Sequence, residues 1–539
     1  MHKIIVLDDL SDDGMNLLRS TEGFSVTVQT GLSGAALRES LAQYDGAICR
    51  SGVKITADSL QGNRRLKAIV RAGVGTDNID KVAATRQGII VMNTPAGNTV
   101  STAEHTMAMI LGLARNVAPA HASLKSGKWD RKSFSGVELR GKVLGIVGLG
   151  RIGQHVAGFA RKFEMQLIGF DPFLPRGRAN ELEIAMVDSV DAMLPQVDFL
   201  TVHTPLTAET NKLIGTAQIQ KMKKGVRLIN CARGGIYDEA ALVEGLENGH
   251  IAGVALDVFE QEPNTSSPFF QLPGTLCTPH LGASTEEAQR QVALEAAELL
   301  VGYLKNGEIR HAVNVAAVDV KTLRRLRGFI NVAYRLGVLA IQWHRGAVSK
   351  CELQFDGEVA SEDTRLLTSA FCAGLLSDAS QQPNLVNAEV LCRELGIEVS
   401  SQLRPANVTF NSLITARADR DGQSFEASGS VFGKNLSRLV RLQHFPMESF
   451  IDGHLLVFTH NDVPGIIGYV GGILADEKVN IVQMAVGRNM NSPGGSAIGI
   501  LNLDSPAPEK ALERITQHPQ IASARILRLP PPDFEPDLF

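Results

Sequence analysis

Gly148-Leu149-Gly150-Arg151-Ile152-Gly153 is the stretch that decides the fold. A G-x-G-x-x-G is a weak signal by itself in a chain with 51 glycines, so the flanks carry the argument. The apolar run Lys142–Val147 precedes it as a strand, and Ile152–Phe163 follows it with a helical pattern. At such a strand-to-helix turn the glycines permit close backbone approach, and the helix N-terminus offers free N–H groups to a pyrophosphate. Met165–Phe170 then reads as the next strand and ends in Asp171, 18 residues after Gly153. An acid there accepts hydrogen bonds from an adenosine ribose diol and repels a 2′-phosphate, which points to NAD and not NADP. A structural glycine turn with a capping Asp-Pro is the bland alternative. It leaves strand, glycines, helix, strand and acid in register by coincidence.

Working outward, Phe199–His203, Arg227–Asn230, Gly253–Asp257 and Thr275–Thr278 bring the predicted strands to the six of a full dinucleotide fold. On the N-terminal side, Lys3–Asp8, Phe24–Val28, Gly46–Cys49, Ala68–Arg71 and Gly88–Met92 recur about every 20 residues, room for one helix each and so a second parallel sheet. A helix over Ser101–Ser126, ending at Gly127, is predicted between the two series, with Ala and Leu on one face. Another helix, Ser284–Leu304, is expected to return to the first sheet. The first domain is then discontinuous and the cofactor domain inserted into it. Beyond Ala312 the composition shifts, and residues 313 to about 450 mix strands with amphipathic stretches. The last 85 or so residues give strand Leu455–Thr459, helix Ile466–Asp476, strand Asn480–Val486 and strand Ser496–Leu503. A further helix and ββ pair would complete a ferredoxin-like unit, and the Pro-rich, acidic tail after Pro530 is expected to fray.

At 539 residues the chain exceeds one hydrophobic core, so about three to four domains are expected. Charges nearly cancel, 53 basic against 57 acidic, which gives no electrostatic reason for a nucleic-acid or anionic-membrane partner. No signal-peptide h-region and no long apolar span are visible, so no leader or membrane segment is expected. Cys49, Cys231, Cys277, Cys351, Cys372 and Cys392 are scattered, without a C-x-x-C pair or a His cluster. They read as reduced thiols, implying a cytoplasmic protein with neither disulfides nor a metal site.

The later strands carry polar residues at their C-terminal ends: Thr204, Arg233, Asp257 with Glu262, and His280. Ligands of an open parallel sheet bind outside that edge, so these residues can converge. Oxidising a hydroxy acid needs a cation for the carboxylate, a base for the hydroxyl proton and a group that orients the base. Arg233 can grip a carboxylate, His280 can take the proton, and Glu262 can fix the imidazole tautomer. Each has a bland reading: a surface charge for Arg233, a Glu-Pro turn acid for Glu262, a capped loop histidine for His280. His203 is the rival base but sits inside a strand, and Cys231 reads as packing.

Gly148–Gly153, Leu228-Ile229-Asn230-Cys231-Ala232-Arg233-Gly234-Gly235, Ala255-Leu256-Asp257-Val258-Phe259 before Glu262-Pro263, and Thr278-Pro279-His280 resemble the D-isomer-specific 2-hydroxyacid dehydrogenase family across residues 1–312. The resemblance implies that Arg233, Glu262 and His280 are the catalytic trio and that Asp257 meets the nicotinamide amide. It implies NAD contacts at Gly148, Gly150, Arg151, Ile152, Gly153, Asp171, Thr204, Cys231, Ala232, Arg233, Asp257, His280, Gly282 and Ala283. It also implies a homodimer built through the cofactor domains. Within the family the chain is most similar to the long branch that oxidises 3-phospho-D-glycerate, because simple reductases stop near residue 320. Its substrate loops resemble Arg50-Ser51-Gly52, Arg71-Ala72-Gly73-Val74-Gly75 with Asp77-Asn78, and Asn93-Thr94-Pro95-Ala96-Gly97-Asn98. Lys128-Trp129-Asp130-Arg131 resembles a segment that reaches a neighbouring subunit's site.

Substrate contacts are therefore expected at Arg50, Ser51, Gly52, Arg71, Asn98 and Arg131. The implied fold is α/β: a substrate domain (1–97 and 284–312) around a Rossmann domain (98–283), then an α+β intervening domain (313–452) and a ferredoxin-like ACT domain (453–529). His460-Asn461-Asp462-Val463-Pro464-Gly465 and Val479-Asn480-Ile481 resemble the serine-holding loops of ACT modules. Asp462 stands where many relatives carry Asn and would repel a serine carboxylate, so an L-serine effector at His460, Asp462 and Asn480 is open. The expected reaction is NAD-linked oxidation of 3-phosphoglycerate at C2 to 3-phosphooxypyruvate, the entry to serine synthesis, by a homodimer or homotetramer. A 2-hydroxyglutarate or hydroxypyruvate/glyoxylate dehydrogenase is the runner-up, and a non-catalytic NAD-sensing scaffold the reading from another class.

Overall fold

The computed structural model describes residues 1–344, 348–377, 383–405, 410–420, 422–433, 435–488 and 494–536. The N-terminal sheet is wholly parallel, in the order Phe24–Val28, His2–Val6, Gly46–Cys49, Ala68–Arg71, Ile90–Asn93. Successive residues of each strand enter opposite cores: Ile4, Val6, Ile48 and Val70 one, Ile5, Leu7, Ala47 and Ile69 the other. Burial on both faces explains why these strands read as apolar runs without alternation. The helix Glu286–Asn306 packs on this sheet through Val292, Ala296, Leu299 and Leu300, in one core with Ile4 and Val6. Thr285 caps its start and Gly307, at φ 68°, ends it. The chain stays tied to this sheet beyond Ala312. The Asn314 side chain donates to the Ile89 carbonyl and accepts from the Val91 N–H.

The second sheet is also parallel, in the order Thr275–Cys277, Ile251–Leu256, Val226–Asn230, Phe199–Val202, Val143–Val147, Gln166–Phe170, Ala185–Met186. It has seven strands where the sequence predicts six; the extra one is a two-residue edge strand, too short to show as an apolar run. Strand order reverses between Val143–Val147 and Phe199–Val202, and the glycine loop leaves the sheet at that switch point. The expected helix over 101–126 is two helices, Thr99–Ala114 and Val117–Lys125. Asn116 adopts φ 50° and breaks the first, and Pro119 lies in the first turn of the second, where no N–H is needed. Only the first helix is buried, with Ala103, Met107 and Ile110 against the second sheet.

The C-terminal half holds two further sheets. One runs Glu398–Arg404, Lys350–Gly357, Ser412–Arg420, Gln423–Phe432, Leu436–Leu442, Phe445–Phe450, with helices Val320–Trp343 and Arg365–Leu375 against it. The other is antiparallel, Ile481–Arg488, Ser496–Leu503, His454–Asn461, Ile521–Arg528, with helices Ile466–Asp476 and Glu509–Thr516. That is a ferredoxin-like βαββαβ unit, completed by one helix and one strand where the sequence suggests a helix and a ββ pair. Leu455, Val457, Ile498 and Ile500 share a core with Phe355 and Phe425, so the last two units pack as one body.

The tail does not fray up to Glu535. Arg335, 2% exposed, donates to the carbonyls of Ile451, Pro530 and Pro531, and Asn331 donates to that of Phe534. Residues 537–539 lie outside the described part. Among the described residues no helix is long and apolar enough to cross a membrane.

Candidate active site

The three motif glycines answer to three different constraints. Gly148 sits at φ 90°, where a Cβ would lie 2.7 Å from the His203 carbonyl oxygen. A Cβ on Gly153 would lie 2.1 Å from the Gly148 carbonyl oxygen, so this glycine sets how closely helix and strand pack. Gly150 is different: a Cβ there would meet nothing within 4 Å. Its lack of a side chain leaves a cradle above the helix Arg151–Lys162, whose N-terminus has no side-chain cap and no acid in its first turn. Uncapped N–H groups beside an open backbone suit a phosphate-bearing cofactor.

Asp171 tightens this cradle. Its Oδ2 accepts from the Leu149 N–H at 2.8 Å, and its Oδ1 from those of Phe173 (2.8 Å) and Leu174 (3.2 Å). It therefore caps its own turn and also pins the glycine loop, with part of its acceptor capacity left for a ribose hydroxyl. Ile152 is partly buried against the adjoining core, and Arg151 is close enough for its charge to act on Glu295 and His311. Thr204 is half-buried, its hydroxyl on the Pro205 carbonyl. Cys231 is buried, which with the neighbouring Asp257 pushes its thiol up to about 12, as packing implies.

At the C-terminal edge of the second sheet, His280 Nδ1 lies 2.6 Å from Glu262 Oε2. The other oxygen, Glu262 Oε1, accepts from the Phe259 N–H at 3.0 Å. Burial pushes the Glu262 carboxyl up, but its bonds to His280 and Phe259 and the charges of His280 and Arg233 hold it below the usual range. The imidazole thus has a fixed anionic partner on Nδ1, leaving Nε2 as the nitrogen that can exchange a proton with a ligand. His280 itself takes φ 55°, its N–H on the Asp257 carbonyl.

Asp257 is 1% exposed and builds that turn: Oδ1 accepts from the Leu281 N–H and the Thr278 hydroxyl, Oδ2 from the Gly282 N–H. His105 Nε2, from the helix Thr99–Ala114, stands 3.2 Å from both Asp257 Oδ1 and Thr278 Oγ1. Neighbouring Gly282 and Ala283 offer backbone carbonyls that already accept from Thr102 and Gln289. His203 is a poor rival to His280: burial lowers its imidazole to about 4, and its Nε2 faces the Thr201 hydroxyl at 3.1 Å.

Arg233 is held by its own loop. Asn230, 2% exposed, accepts from the Ala232 N–H and donates to the Arg233 carbonyl. Gly234 then packs so tightly that a Cβ would lie 1.9 Å from the Phe259 carbonyl oxygen, which brings the Arg233 and Glu262 loops together. Across the cleft stand Arg50 and Arg71. The Arg50 N–H donates to Asp8 at 2.5 Å, and Gly52 lies over the same carboxylate, where a Cβ would be 2.2 Å from Oδ1, while Ser51 between them is exposed. Burial, then the charges of Arg233 and Arg50, lower the Arg71 guanidinium. Arg71 Nε, Thr94 Oγ1, Asn98 Oδ1 and Thr99 Oγ1 are buried without a hydrogen-bond partner. An unsatisfied guanidinium Nε beside two further cations is a donor that an anionic ligand can meet. Arg131 is exposed next to Trp129, 82% exposed, and is not among the charges acting on Arg71.

In the ferredoxin-like unit the three expected effector residues do not meet within one chain. His460 is opposite Ala497 and Ile481, next to Asn480, is opposite Leu503, six residues along the same strand and so about 20 Å away. Asp462 Oδ2 is 3.6 Å from Arg488, and the Asn480 N–H donates to Asp504.

Residues 107–282 match the family model "D-isomer specific 2-hydroxyacid dehydrogenase, NAD binding domain", and residues 325–443 the "D-3-phosphoglycerate dehydrogenase intervening domain". The chain is 40% identical to the D-3-phosphoglycerate dehydrogenase of Methanocaldococcus jannaschii over 98% of its own length and 100% of that protein's. It is likewise 40% identical to that of Bacillus subtilis, over 98% and 100%. Its fold is similar to NAD-dependent formate dehydrogenase from Staphylococcus aureus in complex with NAD: TM-score 0.53, 28% identity, 59% of this chain and 100% of that one.

Proposed function

The chain belongs to the D-3-phosphoglycerate dehydrogenase family, and from that premise we propose that Arg233, Glu262 and His280 carry its reaction. That reaction is NAD-dependent oxidation of 3-phospho-D-glycerate at C2 to 3-phosphooxypyruvate, the first step of serine synthesis. One observation carries the residue assignment: the His280–Glu262 pair at 2.6 Å, on the same cleft edge as Arg233. Arg233 binds the substrate carboxylate, and Arg50 and Arg71 take the phosphate. With Nδ1 held by Glu262, His280 Nε2 accepts the C2 hydroxyl proton. NAD, when bound over Gly150, supplies the hydride acceptor. Gly148, Gly150, Gly153 and the helix N-terminus would hold its pyrophosphate, and Asp171 its adenosine ribose. Asp257 and His105 act one step back, fixing the turn that carries His280. The test is an assay of NADH formation across D-lactate, D-glycerate, 2-hydroxyglutarate and 3-phospho-D-glycerate. The phosphorylated acid is expected to be the best substrate, and equal turnover of D-lactate would remove the role of Arg50 and Arg71.

Two variants probe the assignment further. Asp171→Ala should raise the KM for NAD and narrow the preference over NADP, because the ribose diol loses an acceptor; an unchanged NAD/NADP ratio would leave Asp171 only its loop-pinning bonds. Glu262→Gln should lower kcat and leave the KM for NAD unchanged, because the imidazole loses the anion that holds its Nδ1 at 2.6 Å while the glycine loop is untouched. An unchanged kcat would mean that this pair does not position the base.

Residues 1–97 with 284–312 form the substrate domain, 98–283 the cofactor domain, 313–452 the intervening domain and 453–529 an ACT-type regulatory module. The roughly 20 Å between His460 and Asn480 supports an L-serine site built by two copies, His460 and Asp462 from one and Asn480 from the other. Exposed Val117, Leu124 and Trp129 beside the cofactor domain support a homodimer, which sedimentation would distinguish from a homotetramer. Six unpaired thiols fit a reducing cytoplasm.

A further inference from the structure

One ion pair crosses the cleft. Arg233 Nε, from the cofactor domain, lies 2.9 Å from Oδ2 of Asp77, from the substrate domain. Arg233 Nη1 donates to the Ala232 carbonyl at 2.6 Å, and its Nη2 lies over Gly75, where a Cβ would be 1.6 Å away. The guanidinium is therefore gripped at its Nε and by its own loop, while Nη2 rests against a residue without a side chain. Asp77 is 62% exposed, so it contributes little to packing. Its surroundings are cationic: Arg233 and Lys81 outweigh the effect of burial and hold its carboxyl below the usual range. It also opposes the repulsion between Arg71 and Arg233: its charge favours the charged Arg71 guanidinium, which Arg233 and Arg50 disfavour.

We propose that Asp77 is a positioning residue for the oxidation, acting through Arg233. By taking Nε, while the Ala232 carbonyl takes Nη1, it fixes the plane of the guanidinium and leaves Nη2, over Gly75, to meet the substrate carboxylate. Because the pair joins the two domains, this alignment exists only when the cleft is closed to the distance seen here. Asp77 also offsets part of the charge of Arg50, Arg71 and Arg233, which lets three cations stand together before an anionic substrate arrives. The proposal rests on the assignment of Arg233 to the substrate carboxylate.

The experiment is a double-mutant cycle in the full-length enzyme, with KM for 3-phospho-D-glycerate and for NAD measured separately. Asp77→Ala should raise the KM for phosphoglycerate about ten-fold, within the usual worth of a charge-assisted hydrogen bond, and leave the KM for NAD unchanged. Asp77→Glu should restore most of that loss. Arg233→Lys, which has no Nε to be held, should show a large defect by itself, and adding Asp77→Ala to it should change nothing further. The idea is overturned if Asp77→Ala leaves the phosphoglycerate KM unchanged or lowers it, the latter meaning that the carboxylate competes with substrate. It is also overturned if the effects of the two substitutions multiply. A harmless Arg233→Lys would instead remove the assignment of Arg233, and the role of Asp77 with it.

Discussion

His280→Ala is expected to lower kcat for phosphoglycerate oxidation by about 10²-fold or more, the usual worth of a positioned general base. The NAD affinity should survive, because the glycine loop and its Asp171 anchor share no contact with the imidazole. The fold should survive too. The side chain is 47% exposed, and the turn beneath it is held by Asp257 through the amides of Leu281 and Gly282, not by the ring. His203 cannot readily substitute, since burial has made it too weak a base. A variant with near-native kcat would require a base outside the His280–Glu262 pair. Loss of NAD binding alongside activity would mean that the residue supports the cleft as a whole.

Gly234→Ala is expected to be nearly as damaging, for a reason of packing and not of chemistry. The added methyl would sit 1.9 Å from the Phe259 carbonyl oxygen and 2.1 Å from its carbon, both backbone atoms that cannot swing aside. Either the Arg233 loop or the Glu262 loop must move by about an ångström. Displacements of that size in a catalytic array cost about 10²-fold in rate, so kcat/KM should fall by that order. Overpacking should also lower stability by about 1–3 kcal/mol, visible as a reduced Tm. Gly150→Ala is the contrast: it meets no protein atom, so it should leave Tm unchanged and weaken only NAD binding. If Gly234→Ala kept full activity, the contact between the two loops would not be what sets the distance of Arg233 from His280.

Much of this was legible in the sequence because parallel sheets advertise themselves. Strands buried on both faces must be apolar throughout, so both series could be read as runs, and their polar C-terminal residues marked the cleft edge. The glycine motif gained its meaning from those runs. Other features have no local signature. His105 lies some 150 positions before Asp257, and only the fold brings its ring to the turn that carries His280. Asp77 and Arg233 belong to different domains. Arg335 binds main-chain carbonyls, which any residue supplies, so a tail that looks frayed in sequence is in fact docked. The break at Asn116 was marked, by Pro119 inside the apparent helix, but the apolar spacing on both sides of it carries on without interruption. In the ferredoxin-like unit, motif residues close in sequence lie at opposite ends of one sheet, because the register of Ser496–Leu503 separates them.

The central claim is that this cleft moves a hydride from C2 of 3-phospho-D-glycerate to NAD while His280 takes the hydroxyl proton. Its most direct measurement follows deuterium placed at C2 of 3-phospho-D-glycerate through a single turnover with NAD, reading the nicotinamide product by mass spectrometry and NMR. One deuterium should be found at C4 of the NADH formed, none in the solvent, and His280→Ala should slow its appearance without changing its destination. Deuterium released to water, or no NADH from phosphoglycerate while NAD remains bound, would contradict the account.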